Sequence, residues 1–218
     1  MRFAFYISGR STRLTNFLSQ AKSEIVDSII LVVSDSRITE EQKKLFQKFK
    51  ISYVEFDYAN LHNMSMAEKN IIFSDFLLHN LCEHEIDYVF SFGSHILAGK
   101  VLEKYKYRLI NFHPAILPMF PGLKAIDQAV RHGNVFLVGN TAHFIDAGVD
   151  TGPVIMQSVT PLRHFYDSNN NYNTILDLQV TMLNKLIDII RDNRLVVNEN
   201  KVSIRNADYS VSHVYPEV

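Results

Sequence analysis

The amino-acid sequence predicts an α/β fold with a mostly parallel, twisted sheet flanked by helices and an antiparallel extension in the second half. Two observations support this prediction. Short β-branched or aromatic runs alternate with longer amphipathic segments up to residue 112, which is the pattern of βαβ units around a parallel sheet. Beyond that residue, two long apolar runs are separated only by a turn-like segment, which favours antiparallel pairing.

The first half contains five strand-like runs and four helix-like segments. Strands are predicted near residues 2–8, 28–34, 51–56, 87–92 and 108–112, and helices at 11–23, 39–49, 64–85 and 97–105. Two of these helices have recognisable starts. Thr39 is followed by an acidic pair, and Ser65 has Glu68 three residues later, which is the spacing of a capping box.

The second half begins with the apolar runs 136–145 and 154–162, and the segment between them is too short for a helical crossover. A final helix is predicted at 174–192, and its apolar residues cover more than one face, so it should dock deeply. Residues 196–218 are predicted to form a short strand or hairpin tail after a main domain of residues 1–195. The aromatic residues of this tail suggest a homodimer contact.

Composition limits the class of protein. The chain has 218 residues, 47% hydrophobic and 21% charged, with a formal net charge of -1, which describes one large globular domain or one with a small appendage. No Lys/Arg cluster is present, which argues against a nucleic-acid partner. The single cysteine, Cys82, excludes an internal disulfide and multi-cysteine zinc sites. No apolar run reaches the ~18 residues of a membrane span, and the expected compartment is the cytoplasm.

The central part of the chain carries a candidate site. Asn111 and His113 are two residues apart on a predicted strand, so their side chains leave the same face, and Pro114 holds His113 out of a helical conformation. Ligands collect at the carboxyl ends of strands in open α/β sheets, and this pair lies at such an end. Asp150 comes from a glycine-containing turn further on. An amide, an imidazole and a carboxylate suit reactions that build an oxyanion while moving a proton.

Each of these three residues also has an ordinary structural interpretation. An asparagine at a strand end is often a turn former, a histidine before proline is often bonded to backbone, and an aspartate in a glycine-rich turn often closes an Asx turn. The residue pattern by itself leaves both interpretations open.

Four motifs follow one another in order in this region. They are Asn111-Phe112-His113-Pro114-Ala115-Ile116-Leu117-Pro118, Phe120-Pro121-Gly122-Leu123, Gly139-Asn140-Thr141-Ala142-His143-Phe144 and Asp150-Thr151-Gly152-Pro153-Val154-Ile155. Together they closely resemble the catalytic half of the folate-dependent formyltransferases, a family whose acceptors include glycinamide ribonucleotide, methionyl-tRNA and amino sugars. The resemblance covers roughly residues 85–160 and implies a Rossmann-like sheet.

The resemblance implies a catalytic triad of Asn111, His113 and Asp150, with 10-formyltetrahydrofolate as the donor and no metal. The chemistry agrees with this assignment. When an amine attacks the formyl carbon, negative charge develops on the formyl oxygen, and Asn111 and a protonated His113 would donate hydrogen bonds to it. Asp150 would accept the proton lost by the amine, directly or through a water.

The resemblance also implies where the pterin end of the donor lies. The expected contacts are with Gly93, Ser94, His95, Ile96, Leu97, Ile145, Asp146 and Val149. His95 stands where the purine enzyme usually has arginine, and this segment resembles the sugar N-formyltransferases better. Gly93 has an equal alternative interpretation as the residue that permits a tight strand-to-helix turn.

The acceptor is expected near the turn after the first strand. Candidate acceptor residues are Gly9, Arg10, Ser11, Thr12, Arg13 and Lys124. Purine enzymes have a glycine-rich Ser-Gly-x-Gly-Ser/Thr-Asn turn here that binds phosphate at a helix N-terminus. This chain lacks the second glycine and the asparagine, and Arg10 and Arg13 could equally begin a solvated helix.

These departures favour a nucleotide-linked amino sugar of the dTDP-4-amino-4,6-dideoxyhexose type as the acceptor, although the run from Phe120 to Leu123 is closer to the purine enzyme. Glycinamide ribonucleotide is the alternative acceptor, and a non-catalytic folate- or nucleotide-binding module is the alternative from another class. Methionyl-tRNA is disfavoured because an additional tRNA-binding domain is lacking. A formyltetrahydrofolate deformylase is disfavoured because its usual N-terminal regulatory domain would not fit before Met1.

Overall fold

The computed structural model describes residues 1–162 and 168–210, and for residues 168–172 it describes the backbone alone. The chain divides into two compact units. The first contains Met1–Asn111 and Phe144–Gly152, and the second contains Phe112–His143 and Pro153–Val218.

The first unit is built on parallel strands. These are β1 (Phe3–Ile7), β2 (Ile29–Ser34), β3 (Ser52–Glu55), β4 (Tyr88–Phe92) and β5 (Leu109–His113), in the order β3-β2-β1-β4-β5. The last two residues of β5 belong to the second unit. Every residue of β1 is buried, as expected for a central strand of a parallel sheet with both faces covered.

Helices connect these strands. They are α1 (Thr12–Gln20), α2 (Ser23–Val26), α3 (Glu40–Lys48), α4 (Met66–Glu83) and α5 (Lys100–Lys104), with a 3₁₀ turn at Tyr58–Asn60. Capping boxes at Thr39 and Ser65 confirm the two predicted helix starts. The helix predicted from residue 97 begins only at Lys100, because Gly99 before it has a φ of 71° that cannot continue a helix.

Side chains alternate across β1, and each face has its own partners. Tyr6 packs with Phe73 and Leu77 of α4 in the main apolar cluster of the first unit. Phe5 points to the other face, where its ring centroid lies 5.7 Å from that of Phe17 in α1. Helices therefore cover both faces of the sheet, as predicted.

The second unit contains an antiparallel pair, two helices and a hairpin. The elements are α6 (Ala125–His132), β6 (Leu137–Phe144), β7 (Val154–Pro161), α7 (Ser168–Arg191), β8 (Leu195–Asn198) and β9 (Lys201–Ile204). Helix α6 was not predicted, and α7 begins earlier than predicted. Val138 of β6, Ala129 of α6 and Ile175 of α7 share one apolar cluster. The final helix thus docks deeply, as its apolar residues predicted.

The fold class is confirmed: a mostly parallel sheet flanked by helices, with antiparallel strands in the second half. The C-terminal hairpin lies in the second unit. The predicted boundary between residues 195 and 196 and the predicted dimer contact stay predictions. Of the two aromatic residues that suggested this contact, Tyr209 and Tyr215, the second lies outside the described residues. Across residues 1–162 and 168–210, none of the helices combines the length and apolar character needed to cross a bilayer.

Replacing Phe73 with alanine should cost about 3–5 kcal/mol of unfolding free energy, because a buried ring is lost and a cavity remains. Phe73 is fully buried, and its ring centroid lies 4.8 Å from that of Tyr6. Urea unfolding measures the change. Phe136→Ala is the control, since this side chain is 63% exposed and should cost no more than about 0.5 kcal/mol. Equal losses in the two variants would contradict the core described above.

Candidate active site

An amide and a carboxylate meet at the end of β5 in the first unit. Asn111 Nδ2 donates to Asp150 Oδ1 across 3.5 Å, at the long end of the hydrogen-bond range. The contact forms because the loop that carries Asp150 starts alongside β5, where Ile145 N donates to Leu109 O at 2.9 Å. Two residues that are far apart in sequence are thereby brought together near the end of a strand.

The turn around Asp150 is tightly built. Asp146 Oδ1 accepts hydrogen bonds from Gly148 N at 3.0 Å and from Thr151 Oγ1 at 2.7 Å, which closes an Asx turn. Asp150 has a φ of 55°, in the left-handed region that aspartate tolerates better than most residues. A Cβ at Gly152 would lie 1.8 Å from Phe144 O, so only glycine fits there. The backbone of this turn therefore leaves the Asp150 carboxylate little freedom of position.

His113 is the last residue of β5 and lies in the second unit, 4% exposed. Its Nε2 is 2.8 Å from Phe120 O. A carbonyl only accepts, so Nε2 carries a hydrogen and the orientation of the ring is set. The loop between these residues is held by Thr141 Oγ1, which donates to Ala115 O at 2.8 Å and accepts from Leu117 N at 3.0 Å.

The three predicted catalytic residues thus have the following positions. Asn111 and Asp150 are in contact in the first unit. His113 follows Asn111 by two residues on the same strand, so their side chains leave the same face of that strand. The amide can donate to an oxyanion, the imidazole can donate or exchange a proton, and the carboxylate can accept one.

The segment after β4, predicted to contact the donor, is fixed by its neighbours in the first unit. A Cβ at Gly93 would lie 2.0 Å from Tyr6 Cζ, so the close approach of this ring requires glycine. Ser94 N donates to Ser8 Oγ at 2.8 Å, and His95 N donates to Tyr6 Oη at 3.2 Å. The structure thus gives a reason for glycine at this position that differs from the predicted strand-to-helix turn, since the next helix begins only at Lys100, and the predicted donor contact stays a prediction.

The other predicted donor residues include two exposed apolar side chains, Ile96 (50%) and Val149 (53%). Leu97 is buried in the main apolar cluster of the first unit, and Ile145 packs against the same cluster. The carboxylate of Asp146 accepts the hydrogen bonds that close the turn described above. The two segments predicted to hold the donor therefore share one apolar cluster.

The predicted acceptor turn follows β1. Arg13 is partly buried: its guanidinium donates to Phe92 O at 3.2 Å and lies 4.5 Å from the centroid of the Phe92 ring. Ser11 precedes α1 with a φ of 35°. Gly9 and Arg10 are exposed, and the carbonyl of Arg10 accepts a hydrogen bond from Gln42 Nε2 at 2.9 Å.

A cavity of about 630 Å³ opens beside this turn. Arg10 and Thr12 line it together with Lys44, Lys48 and Glu41 of α3, so its charge is mainly positive. The remaining acceptor candidate, Lys124, is an exposed left-handed residue at the start of α6 in the second unit. Among the residues that the structure describes, no three His, Cys, Asp or Glu side chains are grouped as a metal site would need.

One buried carboxylate was missed in the sequence. Asp35 follows β2, is 5% exposed, and accepts hydrogen bonds from Tyr6 Oη at 2.9 Å and from Ser8 Oγ. His95 Nε2 lies 3.6 Å from the same oxygen, Oδ2. Burial, reinforced by the negative charge of Asp35, raises the pKa of Tyr6 far above its usual range. The position of Asp35 after a predicted strand was visible in the sequence, but its hydrogen-bond partners depend on the order of the strands in the sheet.

The chain belongs to the formyl transferase family, whose model matches residues 1–187. Phosphoribosylglycinamide formyltransferase of Bacillus subtilis is 32% identical over 179 residues, which cover 80% of this chain and 84% of that protein. Formyltetrahydrofolate deformylase of Haemophilus influenzae is 30% identical over 167 residues, which cover 74% of this chain. The matched region spans only 56% of the deformylase.

Solved structures agree with this assignment. The crystal structure of glycinamide ribonucleotide transformylase 1 from Symbiobacterium toebii superposes with a TM-score of 0.81 at 28% identity, covering 94% of this chain and 93% of that one. The predicted family, the folate-dependent formyltransferases, is thereby confirmed. It is a family of one-carbon group transferases whose formyl donor is formyltetrahydrofolate.

Gly152→Ala should displace the turn that carries Asp150, because the added Cβ would overlap Phe144 O. We expect a loss of formyl transfer of about 100-fold, since displacement of a reacting group by about 1 Å has this effect. Gly133→Ala is the control. Gly133 has a φ of 73°, but a Cβ there would meet nothing nearer than Arg131 O at 4.0 Å, an ordinary van der Waals distance. This variant should therefore cost about 1–2 kcal/mol of stability and leave turnover unchanged. Equal turnover in both variants would contradict a constrained turn.

Proposed function

We propose that the chain transfers a formyl group from 10-formyltetrahydrofolate to the amine of glycinamide ribonucleotide. The observation that carries this proposal is the contact between Asn111 and Asp150 in a member of the formyl transferase family. The identity of 32% over most of the chain to a phosphoribosylglycinamide formyltransferase supports the acceptor. Neither relative described above supports the nucleotide-linked amino sugar that the sequence favoured, so the purine acceptor replaces it.

The proposed chemistry follows from the three side chains. The neutral amine attacks the formyl carbon, a new C–N bond forms, and the carbonyl oxygen becomes an oxyanion. Asn111 Nδ2 and a protonated His113 donate hydrogen bonds to that oxygen, and each such donor is commonly worth about 3 kcal/mol of barrier. Asp150 takes the proton of the amine, directly or through a water. The bond from carbon to N10 then breaks, and N10 takes a proton to give tetrahydrofolate.

The donor is proposed to lie against the backbone and side chains of two segments of the first unit. The convergence of Leu97 and Ile145 on one apolar cluster supports this, as do the exposed apolar side chains of Ile96 and Val149. Exposed apolar side chains beside a buried apolar cluster offer a surface on which an apolar part of a ligand can pack. The proposed donor residues are Gly93, Ser94, His95, Ile96, Leu97, Ile145, Asp146 and Val149.

The phosphate of the acceptor is proposed to bind at the turn that precedes α1. Backbone amides at the start of a helix attract anions, and α1 begins at Thr12. The exposed Arg10 adds a positive charge beside this helix start. The proposed acceptor residues are Gly9, Arg10, Ser11, Thr12, Arg13 and Lys124.

A second candidate reaction is hydrolysis of the donor, in which water replaces the amine as the acceptor. The identity of 30% over 74% of this chain to a formyltetrahydrofolate deformylase supports it. Both reactions need an oxyanion donor and a proton acceptor, so Asn111, His113 and Asp150 would serve either one. Only formyl transfer requires an amine acceptor, so the dependence of the rate on that acceptor distinguishes the two reactions.

Release of tetrahydrofolate from 10-formyltetrahydrofolate should depend on glycinamide ribonucleotide. The assay compares this acceptor with a dTDP-linked 4-amino-4,6-dideoxyhexose and with buffer alone. Release with the amino sugar alone would restore the acceptor favoured by the sequence. An equal rate without any acceptor would identify a deformylase, and no release under any condition would indicate a non-catalytic binding module.

His113→Ala should lower turnover by about 100-fold or more, because one donor to the oxyanion is lost. His79→Ala is the matched control, since this side chain is exposed on α4 and should leave turnover unchanged. Thermal melting checks that both variants are folded. Turnover near that of the unmodified protein in His113→Ala would remove this residue from the mechanism.

A further inference from the structure

We propose that Asp35 is a positioning residue for the formyl donor, holding the backbone of Ser94 and His95 in place through the hydroxyl groups of Ser8 and Tyr6. This proposal rests on the proposed function, which assigns residues 93–97 to the donor. It adds a residue outside the predicted site, Asp35, which directly follows β2. All the contacts involved lie within the first unit.

Two hydrogen-bond relays connect the segment after β4 to one carboxylate oxygen. In the first, His95 N donates to Tyr6 Oη at 3.2 Å, and Tyr6 Oη donates to Asp35 Oδ2 at 2.9 Å. In the second, Ser94 N donates to Ser8 Oγ at 2.8 Å, and Ser8 Oγ donates to the same Oδ2. Two successive amides are thereby fixed, which sets both the position and the direction of this backbone.

The direction of each relay is determined by its chemistry. An amide can only donate and an ionised carboxylate can only accept, so each hydroxyl between them must accept from one and donate to the other. The raised pKa of Tyr6 keeps its phenol protonated throughout the physiological range, so its hydrogen is always available to Asp35. A neutral side chain at position 35 would accept more weakly, because hydrogen bonds to a charged group are roughly twice as strong.

The His95 ring is held on two sides. Its Nε2 lies 3.6 Å from Asp35 Oδ2, and its face stacks on the Tyr58 ring with 3.6 Å between centroids and an angle of 10°. The Tyr58 hydroxyl in turn donates to Asn70 Oδ1 at 2.7 Å. The side chain and the main chain of His95 are therefore both tied to the same network.

The relays also limit how this segment can bind a ligand. The amides of Ser94 and His95 already donate to Ser8 and Tyr6, so they do not serve as donors to the ligand. We infer that the segment contributes a fixed shape, with Ile96 exposed beside it, and that Asp35 maintains that shape. Burying a carboxylate is costly unless it accepts hydrogen bonds, and here two hydroxyl groups donate to its Oδ2.

The experiment measures donor binding and kinetics in Asp35→Asn, which keeps the shape of the side chain and removes its charge. We expect the KM for 10-formyltetrahydrofolate to rise about tenfold, with kcat at saturating donor within about threefold of the unmodified protein. Calorimetric titration with tetrahydrofolate should show a matching loss of affinity. A residue that only stabilised the fold would lower the melting temperature without this selective effect on the donor.

Asp87→Asn is the control for loss of a carboxylate. Asp87 precedes β4, at the opposite edge of the sheet from Asp35, and its Oδ2 accepts from Arg2 N at 2.7 Å. This variant should leave the KM for the donor unchanged. Ser8→Ala removes only the relay through Ser8 and should raise the donor KM about threefold. In the double variant with Asp35→Asn, the combined effect should be smaller than the sum of the two single effects, because both substitutions break the same hydrogen bond.

The outcomes separate this proposal from the proposed function. If the unmodified protein neither binds tetrahydrofolate nor releases it from the donor, the proposed function fails. If the unmodified protein binds and Asp35→Asn binds equally well, or changes kcat alone, the positioning role of Asp35 is overturned. If Asp35→Asn does not fold, the Ser8→Ala variant tests the positioning role of Asp35 instead. An unchanged donor KM in Ser8→Ala would overturn that role.

Discussion

The parallel arrangement of β1, β2, β4 and β5 is the constraint on which the candidate site depends. Parallel strands end at the same edge, and the register pairs Ile7 with both Ser34 and Phe92. The residues that follow these three strands, Ser8, Asp35 and Gly93, are therefore neighbours. Asn111 lies near the end of β5 at the same edge, and Ser91 is its partner in β4. The polar groups at this edge come from distant parts of the chain. Backbone hydrogen bonds between neighbouring strands bring them together.

Close backbone approaches add precision to this arrangement. Gly93 lies against the Tyr6 ring, and Gly152 lies against Phe144 O, so neither position accepts a side chain. Both glycines belong to segments that carry proposed functional residues. The close contact at Gly152 therefore restricts the position of Asp150, and the close contact at Gly93 restricts that of His95. In the proposed reaction, which relies on charge stabilisation at a fixed oxygen, such restriction would keep the reacting groups in position.

The sequence was sufficient to predict most strands and most helices, because periodicity is a local property. The grouping of Asn111, His113 and Asp150 came from the family resemblance, since the residue pattern alone left their ordinary structural interpretations open. It could not reveal the Asp35 network, because that network requires β1 to lie between β2 and β4, which is a property of the sheet order. Helix α6 escaped prediction because it is short and because Lys124, the N-cap residue before it, is left-handed and makes no capping hydrogen bond with its side chain. The acceptor preference was drawn from a few residues of the turn after β1, and similarity over most of the chain outweighs such local departures.

The central claim is that Asn111, His113 and Asp150 catalyse the transfer of the formyl group from the donor to an amine. Transfer of carbon-13 from 10-[¹³C]formyltetrahydrofolate, followed by NMR in the presence of glycinamide ribonucleotide, tests this claim most directly. The account predicts that the label appears as a formamide on the ribonucleotide and that the signal is lost in Asp150→Asn. Label found only as free formate, or a formamide signal undiminished in that variant, would contradict the account.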